Sequence, residues 1–262
     1  TYFAYNLYGD GSFSAGGVID FINRGNSSPL RRGNGFTISG TMTGNQVWNP
    51  GVPFIVGVVS TNNNLTINPG TIVKFSGDQS RLQLGGNLIA RGKKDNQIYF
   101  TSYQDDTVGG DSNSDGFSTV PVPGDYGGIF LYGTGNNQIS NSVIRYGGRC
   151  VGQWICTNYG AIMQSGSGNL SLDSNIISQN EYGVERRAGT MTLNQNAIFA
   201  NTQFGLYHNG TGTSTVATNN WWGDASGPRH TNNPTGLGDQ IWGNVIFAPW
   251  LLNCNFEGCV TS

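Results

Sequence analysis

Five carboxylates crowd into one glycine-rich stretch of this chain. QDDTVGGDSNSDGFSTVPVPGD, running from Gln104 to Asp125, holds Asp105, Asp106, Asp111, Asp115 and Asp125, out of 15 acidic residues in all. Within it, Asp111-Ser112-Asn113-Ser114-Asp115-Gly116 places oxygen-bearing side chains at alternate positions and glycine at the sixth. That spacing is the start of a calcium loop, D-x-[DN]-x-[DN]-G. Alternate residues there turn inward on one ion and the glycine permits the sharp turn. The bidentate Glu that closes such a loop at its twelfth position is missing, because Val122 stands there. Asp105, Asp106 or Asp125 must then replace it. The expected ligands for Ca2+ are Asp105, Asp106, Asp111, Asn113, Asp115 and Asp125, with the ion bracing the loop rather than reacting. A plain Asp/Asn/Gly turn cluster without a metal is the competing reading.

A second group could do acid–base work. In Glu181-Tyr182-Gly183-Val184-Glu185-Arg186-Arg187, strand alternation puts Glu185 and Arg187 on one face and Arg186 on the other. One coil later, His208 falls near them. Glu185, Arg187 and His208 are therefore the only candidate catalytic group, and a solvated charged face explains them equally well. Hydrolysis of glycosides needs paired carboxylates, and the Gly-His-Gly run of polygalacturonase-like hydrolases is absent. So are G-x-S-x-G, HExxH and phosphate-binding glycine loops. The four cysteines form two close pairs, Cys150/Cys156 and Cys254/Cys259, spaced wrongly for a zinc ribbon. Two local disulfides in an oxidising compartment are expected, with Trp154 at the tip of the first loop.

The elements that must position these groups are legible in a repeat. LSLDSNIISQNEYGV (Leu170 to Val184) is followed by MTLNQNAIFANTQFGL (Met191 to Leu206). Leu170 and Met191, Leu172 and Leu193, Asn175 and Asn196, Ile177 and Ile198, and Asn180 and Asn201 are all offset by 21 residues, and Gly183 and Gly205 by 22. A weaker third copy runs through Val216, Asn219 and Trp222. Such a unit cannot bury its own apolar face, so stacked neighbours bury it. Equivalent Leu/Ile/Val positions then make inward ladders, and Asn175, Asn196 and Asn219 an amide ladder. The 41 glycines mark many sharp turns, and no helical periodicity persists. Charged residues are only 11% and the net charge is −2, without the basic patch that nucleic acid requires. No apolar run reaches the ~18 residues of a membrane span. The chain opens on Thr1, as a processed mature protein or a fragment does.

The order of motifs resembles a known family. LTINPGTIVKF, LQLGGNLIARG, QIYFTS with the acidic stretch and DYGGI, then IRYGG, NYGAI, NNWWGDASGP, NPTGLGDQI and VIFAPWL are similar to the bacterial secreted and cell-surface right-handed parallel β-helix proteins. The resemblance covers about Ile38 to Leu251. It implies an all-β, single-stranded right-handed parallel β-helix, a three-sheet solenoid, and no single activity, because such coils carry lyases, hydrolases, adhesins and inert stalks alike. Residues 1 to 35 lie outside it and read as an N-terminal cap or an assembly arm that adds a strand to a neighbour. Residues 36 to 252 are the coil, closed by an aromatic cap containing Trp221, Trp222, Trp242 and Trp250. Residues 253 to 262 are a disulfide-pinned tail. The expected function is a non-catalytic structural module, secreted or at the cell surface. Its expected partners are itself, by assembly into a filament or layer, another surface protein, or a polysaccharide. A calcium-dependent polysaccharide lyase or glycoside hydrolase is the alternative.

Overall fold

The computed structural model describes residues 35–151, 160–254 and 256. Residues 1 to 34, all but the last residue of the expected cap or arm of residues 1 to 35, lie outside them, as do Trp154, Cys156 and Cys259. Among the described residues every regular element is a β-strand, and every strand pair is parallel. None is a helix long and apolar enough to cross a membrane.

Short strands recur in a fixed order along three columns. The first is an eight-stranded sheet that begins at Gln46–Trp48 and Leu65–Ile67 and continues through Leu88–Arg91, Asn136–Ser140, Asn169–Asp173 and Thr190–Asn194 to Thr215–Val216 and Val245–Ile246. The other two columns are limbs of one 14-stranded sheet, joined because the long strand Phe54–Thr61 pairs with Ile72–Phe75 through its first half and with Arg81–Leu84 through its second. One limb continues through Ile98–Ser102, Ser142–Arg145, Ile176–Ser178 and Ala197–Phe199. The other continues through Gly128–Leu131, Ile162–Gln164, Tyr182–Arg186, Phe204–His208 and Gly238–Trp242. Each strand is too short to stand alone. Stacking on its equivalents satisfies its backbone and buries alternate side chains.

The core follows from register. Leu82, Ile129, Ile162, Val184, Leu206 and Ile241 align rung over rung, and all are at most 1% exposed. Val73, Phe100, Ile144, Ile177 and Ile198 form the matching column on the other limb. In the eight-stranded sheet, Leu170 pairs with Met191 and Leu172 with Leu193, as the 21-residue offset requires.

The turns between strands are held by side-chain amides. Asn196 Oδ1 accepts from the backbone N–H and Nδ2 of Asn175, at 2.9 and 3.0 Å, and Asn196 Nδ2 donates to Leu172 O and to Asn220 Oδ1, both at 2.9 Å. The third member is thus Asn220 and not Asn219. Asn219 has φ +58° and donates to Asn194 outside the core. The last coil is longer, so the offset from Asn196 is 24 residues rather than 21. A second ladder runs from Asn180 to Asn201 and ends on Asp239, whose Oδ2 accepts from Asn201 Nδ2 at 2.7 Å. Desolvation pushes the Asp239 carboxyl up to about 7, against the pull of the Asn201 donors.

The aromatic C-terminal segment divides. Trp222 is fully buried in the main core and Trp250 packs partly buried against it. Trp221 joins Val143, Ile176 and Ala197 on the outer side of one limb, where Cys254 and Phe256 cover it. Trp242 is half exposed. No free thiol occurs among the described cysteines, Cys150 and Cys254.

Candidate metal centre

The acidic excursion leaves the coil after Ile98–Ser102 and returns at Gly128–Leu131. Both ends are fixed. At its start Asp105, with a fully buried side chain, takes the Arg145 guanidinium at 2.6 and 2.9 Å and the Thr101 hydroxyl. At its end Tyr126 is fully buried, stacks on Phe75 with ring centroids 4.1 Å apart and donates its hydroxyl to Phe100 O at 3.2 Å. In between, Gly109, at φ +68°, lies so close to Pro53 that a Cβ would stand 2.6 Å from the proline ring. The loop is therefore seated on the coil.

Within it Asp106, Asp111 and Asp115 converge, with one oxygen of each within 4.8 Å of the others. That separation fits a calcium ion, whose oxygen ligands stand ~2.3–2.6 Å from the metal and so up to about 5 Å apart. The Asp111–Gly116 turn has the expected form. Asp111 accepts from the backbone N–H groups of Asp115 and Gly116, at 3.2 and 2.9 Å, and Gly116 has φ +66°. Asp115 is held by donors from Thr119, Phe117, Ser118 and Asn113, the Thr119 hydroxyl above all, and these keep its carboxyl below the ordinary range. Three buried oxygens of this loop have no hydrogen-bond partner among the described residues: both carboxylate oxygens of Asp106, and Asn113 Oδ1. Burial and the neighbouring Asp111 push the Asp106 carboxyl above its usual range. Desolvated acceptors without donors are costly, and a cation at this point would supply what they lack.

The six expected ligands therefore separate. Asp106, Asp111 and Asp115 come together, and Asn113 belongs to the same turn. Asp105 does not join them because Arg145 holds it. Asp125 turns away to accept from Ser102 Oγ at 2.7 Å and from Val122 N–H at 3.1 Å. Sequence reasoning missed Lys74. Its ammonium is fully buried beneath the loop and donates to Gly110 O at 2.6 Å. Burial lowers its pKa, while Asp105, Asp106 and Asp111 oppose that. A lysine between Val73 and Phe75 in an otherwise apolar strand was the available signal.

The second candidate group does not assemble. Arg187 Nε donates to Glu185 Oε1 at 2.7 Å, and the Glu185 side chain is fully buried. His208 aligns with Arg186, one position away, in the register that elsewhere holds Leu84 and Leu131. His208 is 3% and Arg186 1% exposed. Arg186 Nη1 lies 2.8 Å from His208 Nε2, and His208 Nδ1 lies 2.8 Å from Asn244 O. Arginine only donates, so Nε2 accepts and Nδ1 carries the proton. Burial, with the adjacent guanidinium, lowers the His208 pKa. Glu185 and Arg187 thus lie on one side of the strand and His208 on the other.

Comparisons with protein-family models, with curated proteins and with solved structures return no match.

Proposed function

We propose that this chain is a non-catalytic, extracellular structural module: a right-handed, three-sheet parallel β-helix that serves as an inert scaffold for a calcium-braced surface loop. The observation that carries this reading is the group of buried oxygens on Asp106 and Asn113 that have no hydrogen-bond partner among the described residues, beside Asp111 and Asp115. Charge supports a divalent ion. Asp106, Asp111 and Asp115 contribute three negative charges and Lys74 one positive, so one Ca2+ brings the site to neutrality, while Asp105 and Arg145 cancel separately. Where bound, the ion supplies charge compensation to these carboxylates.

The scaffold reading also rests on what the ionisable groups do. Glu185 is held by Arg187, and His208 by Arg186 and Asn244. Neither is free to exchange a proton with a sugar. Incubation of the calcium-loaded chain with acidic polysaccharides is expected to release no new reducing ends and no unsaturated products. Turnover that Glu185→Gln abolishes would replace this reading with the lyase or hydrolase alternative.

A further inference from the structure

Trp242 is half exposed, which is unusual for the largest apolar side chain. It lies beside Tyr207 of the preceding rung. The Tyr207 ring in turn meets those of Phe204 and Tyr182, at 5.1 and 5.9 Å between centroids. Four aromatic side chains therefore sit together on the last three rungs of one limb, with Trp242 as the most open member.

Trp242 also forms one wall of an open cleft of about 450 Å³, lined further by Arg229, Thr231, Pro234 and Gln240. That volume falls in the range of small-ligand sites, ~300–1,000 Å³. Arg229 and Gln240 are neighbours across a strand pair, so their side chains leave the backbone next to one another. His230 is used structurally: its Nε2 lies 3.2 Å from Gly243 O, and its Nδ1 accepts from Asn232 N–H at 3.2 Å. No carboxylate lines the cleft. Arg229 is exposed and forms no ion pair with any described residue.

We propose that this cleft binds a chain of an acidic polysaccharide, with a pyranose ring stacked on Trp242 and a uronate carboxylate paired with Arg229. The indole offers a flat apolar face to the C–H face of a sugar. The guanidinium matches a carboxylate bidentately, and the Gln240 amide and Thr231 hydroxyl are placed to take sugar hydroxyls. A neutral glycan would leave Arg229 without a counter-charge.

Affinity electrophoresis of the full chain tests this, in gels containing polygalacturonate or neutral dextran. The wild type is expected to be retarded by polygalacturonate and not by dextran, and less so as salt rises. Trp242→Ala is expected to weaken retardation by more than about tenfold. Arg229→Gln should remove the preference for the acidic chain. Both side chains are solvent-facing, so unchanged thermal unfolding certifies the fold of each variant. No retardation, equal retardation by dextran, or an unaffected Trp242→Ala would overturn the proposal. This binding is independent of the scaffold reading: retardation accompanied by cleavage would sink that reading and leave the cleft assignment standing.

Discussion

Replacing Asn196 by Leu is expected to destabilise the chain by about 4 kcal/mol. Asn196 is fully buried. Its removal leaves the Asn175 N–H and Leu172 O without these partners inside the protein, and each such buried group costs about 1–3 kcal/mol. Asn220 loses the amide donor of the next rung as well. For a domain of this size that corresponds to a fall in melting temperature of roughly 8–16 °C. The matched control is Asn136→Ala. Asn136 is exposed and belongs to an outer row in which it accepts from Asn169 Nδ2 at 2.6 Å. Water replaces that bond, so the cost is expected to stay below about 1 kcal/mol. Thermal or denaturant unfolding of the two variants reads the difference. Equal losses would mean that the buried ladder does not hold the rungs in place.

Arg145→Met is expected to cost about 3–5 kcal/mol, because it strands a carboxylate that has no access to water. The Asp105 side chain is wholly buried. Without Arg145 it keeps only the Thr101 hydroxyl and the Thr107 hydroxyl and N–H as partners. Adding Asp105→Asn to Arg145→Met should recover a large part of the loss, since the charge is then gone and the neutral amide retains local partners. If the double variant unfolds no later than Arg145→Met alone, the cost lies in packing of the arginine against Tyr146, whose ring centroid is 5.3 Å from the guanidinium, and not in the stranded charge.

The parts of the fold that could be read in the sequence are those governed by short-range period. Leu170 with Met191, Leu172 with Leu193 and Asn175 with Asn196 follow from a constant offset, because stacked rungs put equal positions over one another. Where the offset changes, the reading slips. Between Glu185 and Tyr207 it is 22 residues, so His208 pairs with Arg186 and faces inward. A displacement of one residue moves a strand side chain to the opposite face, and this alone separates His208 from Glu185 and Arg187. The same effect moves the third ladder position from Asn219 to Asn220. At the acidic loop, the Asp111–Gly116 turn was legible because its ligand spacing is local. The choice among Asp105, Asp106 and Asp125 was not. It is made by Arg145 and Ser102, which hold Asp105 and Asp125 across 40 and 23 residues of sequence.

Isothermal titration of the metal-free chain with CaCl2 tests the central claim most directly. The account predicts one ion bound per chain, with the heat abolished by Asp106→Asn and by Asp111→Ala while both variants remain folded. Absence of binding, or an unchanged isotherm for the two variants, would contradict it.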